Sequence, residues 1–206
     1  MGKSMGSPTV LDAPIGAAQE ATKVVDRLTN SYALVTYIPG RLGEFLSRLR
    51  NELVPGCNLA SHVTFLPPRH LETDRVNSWN AISAVCERWR SFSIELTAVE
   101  MFEGTNVTYL AIGEGRVLVD ELHRRLNQGP LHFSEPFAFH PHITLAQGVT
   151  AADVAGVRET AIRRWREYSG ERSFLVDEVT FVHNVAGTEW IDLNELTFKS
   201  PHAGVR

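Results

Sequence analysis

Two short segments of this chain repeat one pattern: Ser61-His62-Val63-Thr64-Phe65-Leu66-Pro67 and His140-Pro141-His142-Ile143-Thr144-Leu145-Ala146. In each, a histidine and a threonine stand two residues apart, with apolar residues between and after them. Residues i and i+2 of a strand share a face, so His62 and Thr64 point one way while Val63 and Phe65 point the other. His142 and Thr144 likewise share a face opposite Ile143 and Leu145. The chain has eight histidines, enough for chance to supply such a triplet in roughly one chain of four, so a single copy decides nothing. The weight lies in where the two copies fall.

Around each copy the same order of elements is read. Residues 32–38 are aromatic and β-branched and stop at Pro39-Gly40, as a strand does. Residues 41–53 place Leu42, Phe45, Leu46 and Leu49 at helical spacing before Pro55-Gly56. The first His-x-Thr strand follows, closed by Pro67-Pro68. A helix over 74–89 carries Val76, Trp79, Ile82, Val85 and Cys86 on one face, and a strand spans 92–101. The order then recurs as strand 107–112, helix 117–126, strand 139–146 with the second His-x-Thr, helix 151–168 and strand 174–183, with a last strand at 190–198. A repeat that sets each His-x-Thr at the same point of its half reads as an internal duplication. The expectation is an α+β protein of two pseudo-symmetric lobes, flanked by helices, with one cleft lined by both histidines and both threonines. Residues 1–30 read as an N-terminal extension with a short helix near 17–28, and 31–206 as a single domain.

Composition narrows the partners. At 206 residues, 43% hydrophobic and 21% charged, the chain can bury a sizeable core. No apolar run approaches the roughly 18–20 residues that cross a bilayer, and the first thirty lack a secretory pattern. Cys57 and Cys86 match no metal or redox spacing and read as reduced thiols. These features predict a cytoplasmic protein without membrane association. A net charge of −4 speaks against a long nucleic-acid track, which needs a basic face; a small or end-bound ligand suits it better.

Rival motifs are weaker. His140-Pro141-His142 could set two imidazoles on one side of a strand, but a zinc site needs further ligands, and no metal is expected. Gly113-Glu114-Gly115 imitates the start of a dinucleotide fingerprint, yet Leu118 stands where its third glycine belongs, so a strand-to-helix turn is the reading. There is neither a Gly-x-Ser-x-Gly elbow nor a Walker lysine. Phe137 and Phe139 could stack on a base, although core packing is the simpler role.

The paired segments His62-Val63-Thr64-Phe65 and His142-Ile143-Thr144-Leu145 resemble the two signature motifs of the 2H phosphoesterase superfamily, which includes 2′-5′ RNA ligase-like proteins and cyclic nucleotide phosphodiesterases. The context Pro141-His142-Ile143-Thr144-Leu145-Ala146 resembles the RNA ligase-like branch, and the likeness of element order spans about residues 31–198. The resemblance implies a bilobal α+β fold with antiparallel sheets, His62 and His142 as an acid–base pair, and Thr64 and Thr144 holding a phosphate. It implies a 2′,3′-cyclic phosphate or a 2′-5′ linkage of a nucleotide or RNA end as substrate, with no cofactor, in a monomer. Arg69, His70, His140, Gln147 and His183 are further candidate substrate contacts. Gln147 is the departure: many members of that branch carry an arginine there, which weighs against RNA ligation more than against simple phosphodiester cleavage. The reading from another class is a non-catalytic module that binds nucleotides or RNA ends in the same cleft.

Overall fold

A computed structural model of the chain describes residues 30–186 and 189–200. Apart from Asn30, the N-terminal extension and its expected helix lie outside these residues. The elements are β1 (Tyr32–Tyr37), α1 (Gly40–Leu53), β2 (His62–Arg69), α2 (Arg75–Cys86), β3 (Phe92–Met101), β4 (Thr108–Ile112), α3 (Arg116–Leu126), β5 (His142–Ala146), α4 (Val154–Glu167), β6 (Ser173–Val176), β7 (Glu178–Ala186) and β8 (Glu189–Thr197). None of the described helices is long and apolar enough to cross a membrane.

Local chemistry sets the element ends. In α1, Leu42, Leu46, Leu49 and Leu53 are buried at intervals of three and four, which is the stripe a core-facing helix presents. The Asp74 side chain caps α2 by accepting from the Asn77 N–H at 2.9 Å. Gly115, at φ +86°, turns β4 into α3, and a Cβ there would lie 2.3 Å from the Ser93 carbonyl oxygen. Gly113-Glu114-Gly115 is thus a turn between strand and helix. In α2 the buried residues are Ser78, Ile82 and Cys86, whereas Val76, expected on that face, is 65% exposed. Val76 stands in the first turn, and Trp79 and Val85 fill the half-buried flank.

The eight strands form two antiparallel four-stranded sheets, ordered β2-β1-β7-β8 and β5-β4-β3-β6. Each half gives its His-x-Thr strand to the outer edge of one sheet, paired with the strand that opens that half. The third strand of the first half, β3, joins the second sheet, and β7 from the second half enters the first. Two expectations change here. The single strand expected at 174–183 is two strands, because Asp177 parts β6 from β7 and each pairs in a different sheet. Pro67-Pro68 does not end β2, which runs on to Arg69. Proline lacks a ladder donor, but β2 has a free edge and its register with β1 shifts near these prolines, so the loss is tolerated.

One apolar core runs through both halves, with Leu34, Phe65, Ile94, Leu110 and Ile143 wholly enclosed. Burying a side chain of this size contributes about 1.5–3 kcal/mol. Phe65 and Ile143 thereby anchor β2 and β5, which lie against each other. The paired motif strands are held in place from their apolar sides.

Candidate active site

Alternation along β2 and β5 is as the sequence predicts. His62 and Thr64 are half-exposed while Val63 and Phe65 are buried, and His142 and Thr144 are half-exposed while Ile143 and Leu145 are buried. The two histidines are near enough that charge on His142 disfavours charge on His62.

Both imidazoles are fixed in the same way. His62 Nδ1 lies 2.8 Å from the Ala60 carbonyl oxygen, and His142 Nδ1 lies 2.7 Å from the His140 carbonyl oxygen. A carbonyl can only accept, so each Nδ1 carries the hydrogen, and in the neutral ring each Nε2 is left with its lone pair. The acceptor is two residues upstream in both cases. Each motif therefore orients its own imidazole through its own backbone.

Burial is the first cause that pushes His62 down, to about 4, with the charges of Arg50 and His142 adding to it against the hydrogen bond to Ala60. His142 is also pushed down, first by burial and then by His140, against its carbonyl hydrogen bond. Both rings are thus neutral near pH 7 in the ligand-free protein. A neutral imidazole accepts a proton, and an anionic ligand brought beside the pair would favour protonation of one of them.

Aromatic walls enclose each histidine. Tyr37 pairs with His62 across β1 and β2 and meets its ring edge-on at 6.5 Å. Phe102 and Tyr109, stacked at 4.1 Å, present edges to His142 at 4.9 and 5.3 Å. The Tyr37 hydroxyl donates to Asp192 at 2.6 Å, and burial with that carboxylate raises its pKa. The Tyr109 hydroxyl donates to Glu100 at 2.9 Å and is pushed up to about 12 by burial and then by Glu100. Both tyrosines keep their protons at neutral pH, leaving the histidines as the groups here suited to exchange one.

The other candidates scatter. His140 stands beside Phe102 and Tyr109, 6.4 Å from the His142 ring, at the edge of the site. Gln147 is exposed just beyond β5. His70 is exposed, with Nδ1 3.2 Å from the Asn30 carbonyl oxygen. His183 stacks on Tyr32 at 4.2 Å and meets the Asn30 side chain at 2.9 Å. Arg69, expected as a substrate contact, is turned into the fold. It is 4% exposed, and its guanidinium donates to Pro67 O, Asn127 Oδ1, Leu131 O and Glu135. Its position at the end of a strand that passes through two prolines turns it into the fold. Phe139 stacks on His123 at 3.6 Å, while Phe137 is 77% exposed. Among the described residues, no cluster of three or more His, Cys, Asp or Glu side chains is arranged to hold a metal ion.

Sequence reasoning missed Tyr37, Phe102, Tyr109 and Arg50. Only Arg50 left a trace: it stands four residues after Leu46 and three before Leu53, inside the apolar stripe of α1.

Two antiparallel sheets, flanking helices and a His-x-Thr strand at the edge of each define a two-lobed α+β protein of the 2H phosphoesterase type. The chain belongs to the 2′-5′ RNA ligase superfamily, whose family model matches residues 38–188. The fold is similar to that of E. coli LigT in its crystal structure with 3′-AMP, at 17% identity and a TM-score of 0.56, covering 82% of this chain and 98% of that one. It is also similar to a phosphoesterase crystal structure at 18% identity and a TM-score of 0.56, covering 83% and 99%. The Thermus thermophilus protein TT0787 is 15% identical with a TM-score of 0.50, covering 84% and 100%. No curated protein matches the chain in sequence.

Proposed function

We propose that the protein is a metal-independent phosphodiesterase that uses His62 and His142 as an acid–base pair on a 2′,3′-cyclic phosphate or a 2′-5′ linkage of a nucleotide or RNA end. The observation that carries this reading is the matched pair of imidazoles, each with Nδ1–H bound to a carbonyl two residues upstream. Displacement at phosphorus needs one group to take a proton from the attacking oxygen and another to give one to the leaving oxygen. Two imidazoles on opposite sides of the phosphorus meet that need. Thr64 and Thr144, on the same faces, supply hydroxyls for the non-bridging oxygens, where negative charge grows. A nucleotide ligand is in keeping with E. coli LigT, whose crystal structures include complexes with 3′-AMP and with ATP.

The attacking oxygen decides the outcome. Water gives hydrolysis, and an RNA 5′-hydroxyl gives ligation; Gln147, in place of the arginine common in that branch, favours water. The test is incubation with 2′,3′-cyclic mononucleotides and 2′-5′ oligonucleotides in EDTA. Turnover in chelator is expected. Activity that appears only on adding a metal would overturn the acid–base account, and binding without turnover would assign the cleft to recognition alone.

A further inference from the structure

Cys57 and Cys86 are both free thiols, and they stand in unlike places. Cys86 is wholly buried among apolar side chains at the end of α2. Cys57 is partly exposed, in the connection from α1 to β2. Thiols buried in apolar surroundings are inert, whereas reactive ones are partly exposed and face positive charge.

Cys57 faces such a charge. Arg50 Nη2 lies 3.9 Å from Cys57 Sγ. Arg50 is 3% exposed, and its Nε and Nη1 are buried with no hydrogen-bond partner among the described residues. No carboxylate among those residues pairs with it, and Cys57 is the group that acts on its charge. Its place in the last turn of α1 lets the carbonyls of the helix end favour a cation, but that attraction leaves the two N–H groups without acceptors. A thiol sulfur is itself a weak acceptor. The buried guanidinium therefore lacks oxygen partners on the side that meets Cys57, and a buried polar group left so calls for an explanation. The corresponding residue of the other half needs none. In α3, Val119, Leu122, His123 and Leu126 repeat the spacing of Leu46, Leu49, Arg50 and Leu53, and His123 Nδ1 donates to the Phe65 carbonyl at 2.7 Å.

The backbone keeps the sulfur against the guanidinium. Cys57 N–H donates to the Val54 carbonyl at 3.0 Å. Asn51 Nδ2 donates to the Cys57 carbonyl at 3.2 Å and lies 3.5 Å from Asn58 Oδ1. At the far end of the connection, Ser61 N–H donates to Ser47 Oγ at 3.1 Å, and the Ser61 carbonyl accepts from Ile38 N–H at 3.0 Å. Residues 57–61 are thus fastened to α1 at both ends.

We propose that Cys57 is an oxidation site, where a hydroperoxide converts the thiol to a sulfenic acid whose oxygen is received by the buried guanidinium of Arg50. The sulfur attacks the outer oxygen of the hydroperoxide. The S–O bond forms as the O–O bond breaks, the sulfur gives up two electrons, and the thiol proton goes to the departing oxygen, so the hydroperoxide leaves as water or an alcohol. The oxygen left on sulfur accepts from Arg50, which the sulfur alone does poorly. A small thiol restores the residue: it condenses with the sulfenic acid, releasing water, and a second thiol reduces the disulfide so formed. Nothing in these steps depends on the reaction proposed for the cleft.

The test is to treat the full chain with hydrogen peroxide near neutral pH, at concentrations that leave its circular dichroism unchanged, with dimedone present to trap sulfenic acids. Mass spectrometry of a digest then locates the label. Cys57 should be labelled, faster than glutathione in the same mixture, and Cys86 should stay unlabelled. Arg50→Met should slow the labelling of Cys57 about tenfold, the low end of what a hydrogen bond to a charged group contributes. Arg50→Lys, which keeps the charge, should retain more of the rate. The proposal is overturned if Cys86 is labelled as fast as Cys57, if Cys57 is labelled more slowly than glutathione, if Arg50→Met folds and is labelled at the wild-type rate, or if Arg50→Lys is labelled no faster than Arg50→Met. Should Arg50→Met not fold, the comparisons with Cys86 and with glutathione still decide.

Discussion

Arg69 and Glu135 meet at 2.8 Å with side chains 3% and 12% exposed, an ion pair that joins the end of β2 to the loop leading into β5. Asn127 and the Leu131 carbonyl share the same guanidinium, and Phe133 stacks beneath it at 5.2 Å. The pair therefore ties one motif strand to the approach of the other. Removing one partner strands the other's charge, which costs about 3–5 kcal/mol in buried pairs. Glu135→Ala is expected to destabilise by that amount in urea unfolding, and the double variant Arg69→Met/Glu135→Leu to recover most of it. Equal losses in the single and double variants would show that the pair's charge is immaterial.

The motif residues should separate by role. In the proposed mechanism His62→Ala and His142→Ala each remove a proton-transfer partner, a contribution of about 10²–10⁴-fold. Thr64→Ala or Thr144→Ala removes one donor to a half-solvated phosphate and should cost roughly 10²-fold or less. In the proposed mechanism both histidines serve one displacement, so the double variant should lose less than the product of the single losses. Turnover of a 2′,3′-cyclic mononucleotide measures all five proteins. A His142→Ala variant that kept most of its rate would end the paired account.

Stability should fall with acid in a window set by His62. Its ordinary value is 6.5 and its folded value about 4, so above 6.5 neither state binds the proton. As the pH drops from 6.5 towards 4, the unfolded chain takes it up and the folded one does not, so stability is lost; His142 acts in the same sense. The His62 share is at most about 3 kcal/mol. Urea midpoints at pH 7, 5.5 and 4.5 should show His62→Gln losing less than the wild type across this range. Parallel slopes would mean that the ring is not held neutral by the fold.

Gly43 sits in the first turn of α1, where a Cβ would fall 1.8 Å from the Ile38 carbonyl oxygen. That atom is backbone at the end of β1, next to the Tyr37 that faces His62. Gly43→Ala must push α1 away from it, at the roughly 1–3 kcal/mol typical of overpacking. Thermal unfolding reads the loss, and a midpoint equal to that of the wild type would contradict the close approach.

The sequence made the motif strands legible because a strand has a period of two, and the polar and apolar positions of 62–65 and 142–145 follow it without exception. Helices with leucine stripes, such as α1, were equally plain. What periodicity does not encode is which strands pair. Nothing in residues 174–183 announces that Asp177 divides two sheets, and nothing in 92–101 announces that β3 crosses to the other one. The walls of the site were hidden for the same reason, since Tyr37, Phe102 and Tyr109 reach the histidines across strands rather than along them. The burial of Arg69 was not legible because its side-chain partners lie about sixty residues on, at Asn127 and Glu135.

The crossing of β3 and β7 has a consequence for the chain's integrity. Severed in the turn between β3 and β4, the chain would yield two fragments, neither of which holds a complete sheet: one would need β7 and β8 from the other and would have to surrender β3. The cleft inherits that interdependence. Each imidazole stands on the edge of a sheet that its own half of the chain cannot finish alone, so a cut between β3 and β4 unsettles both motif strands at once.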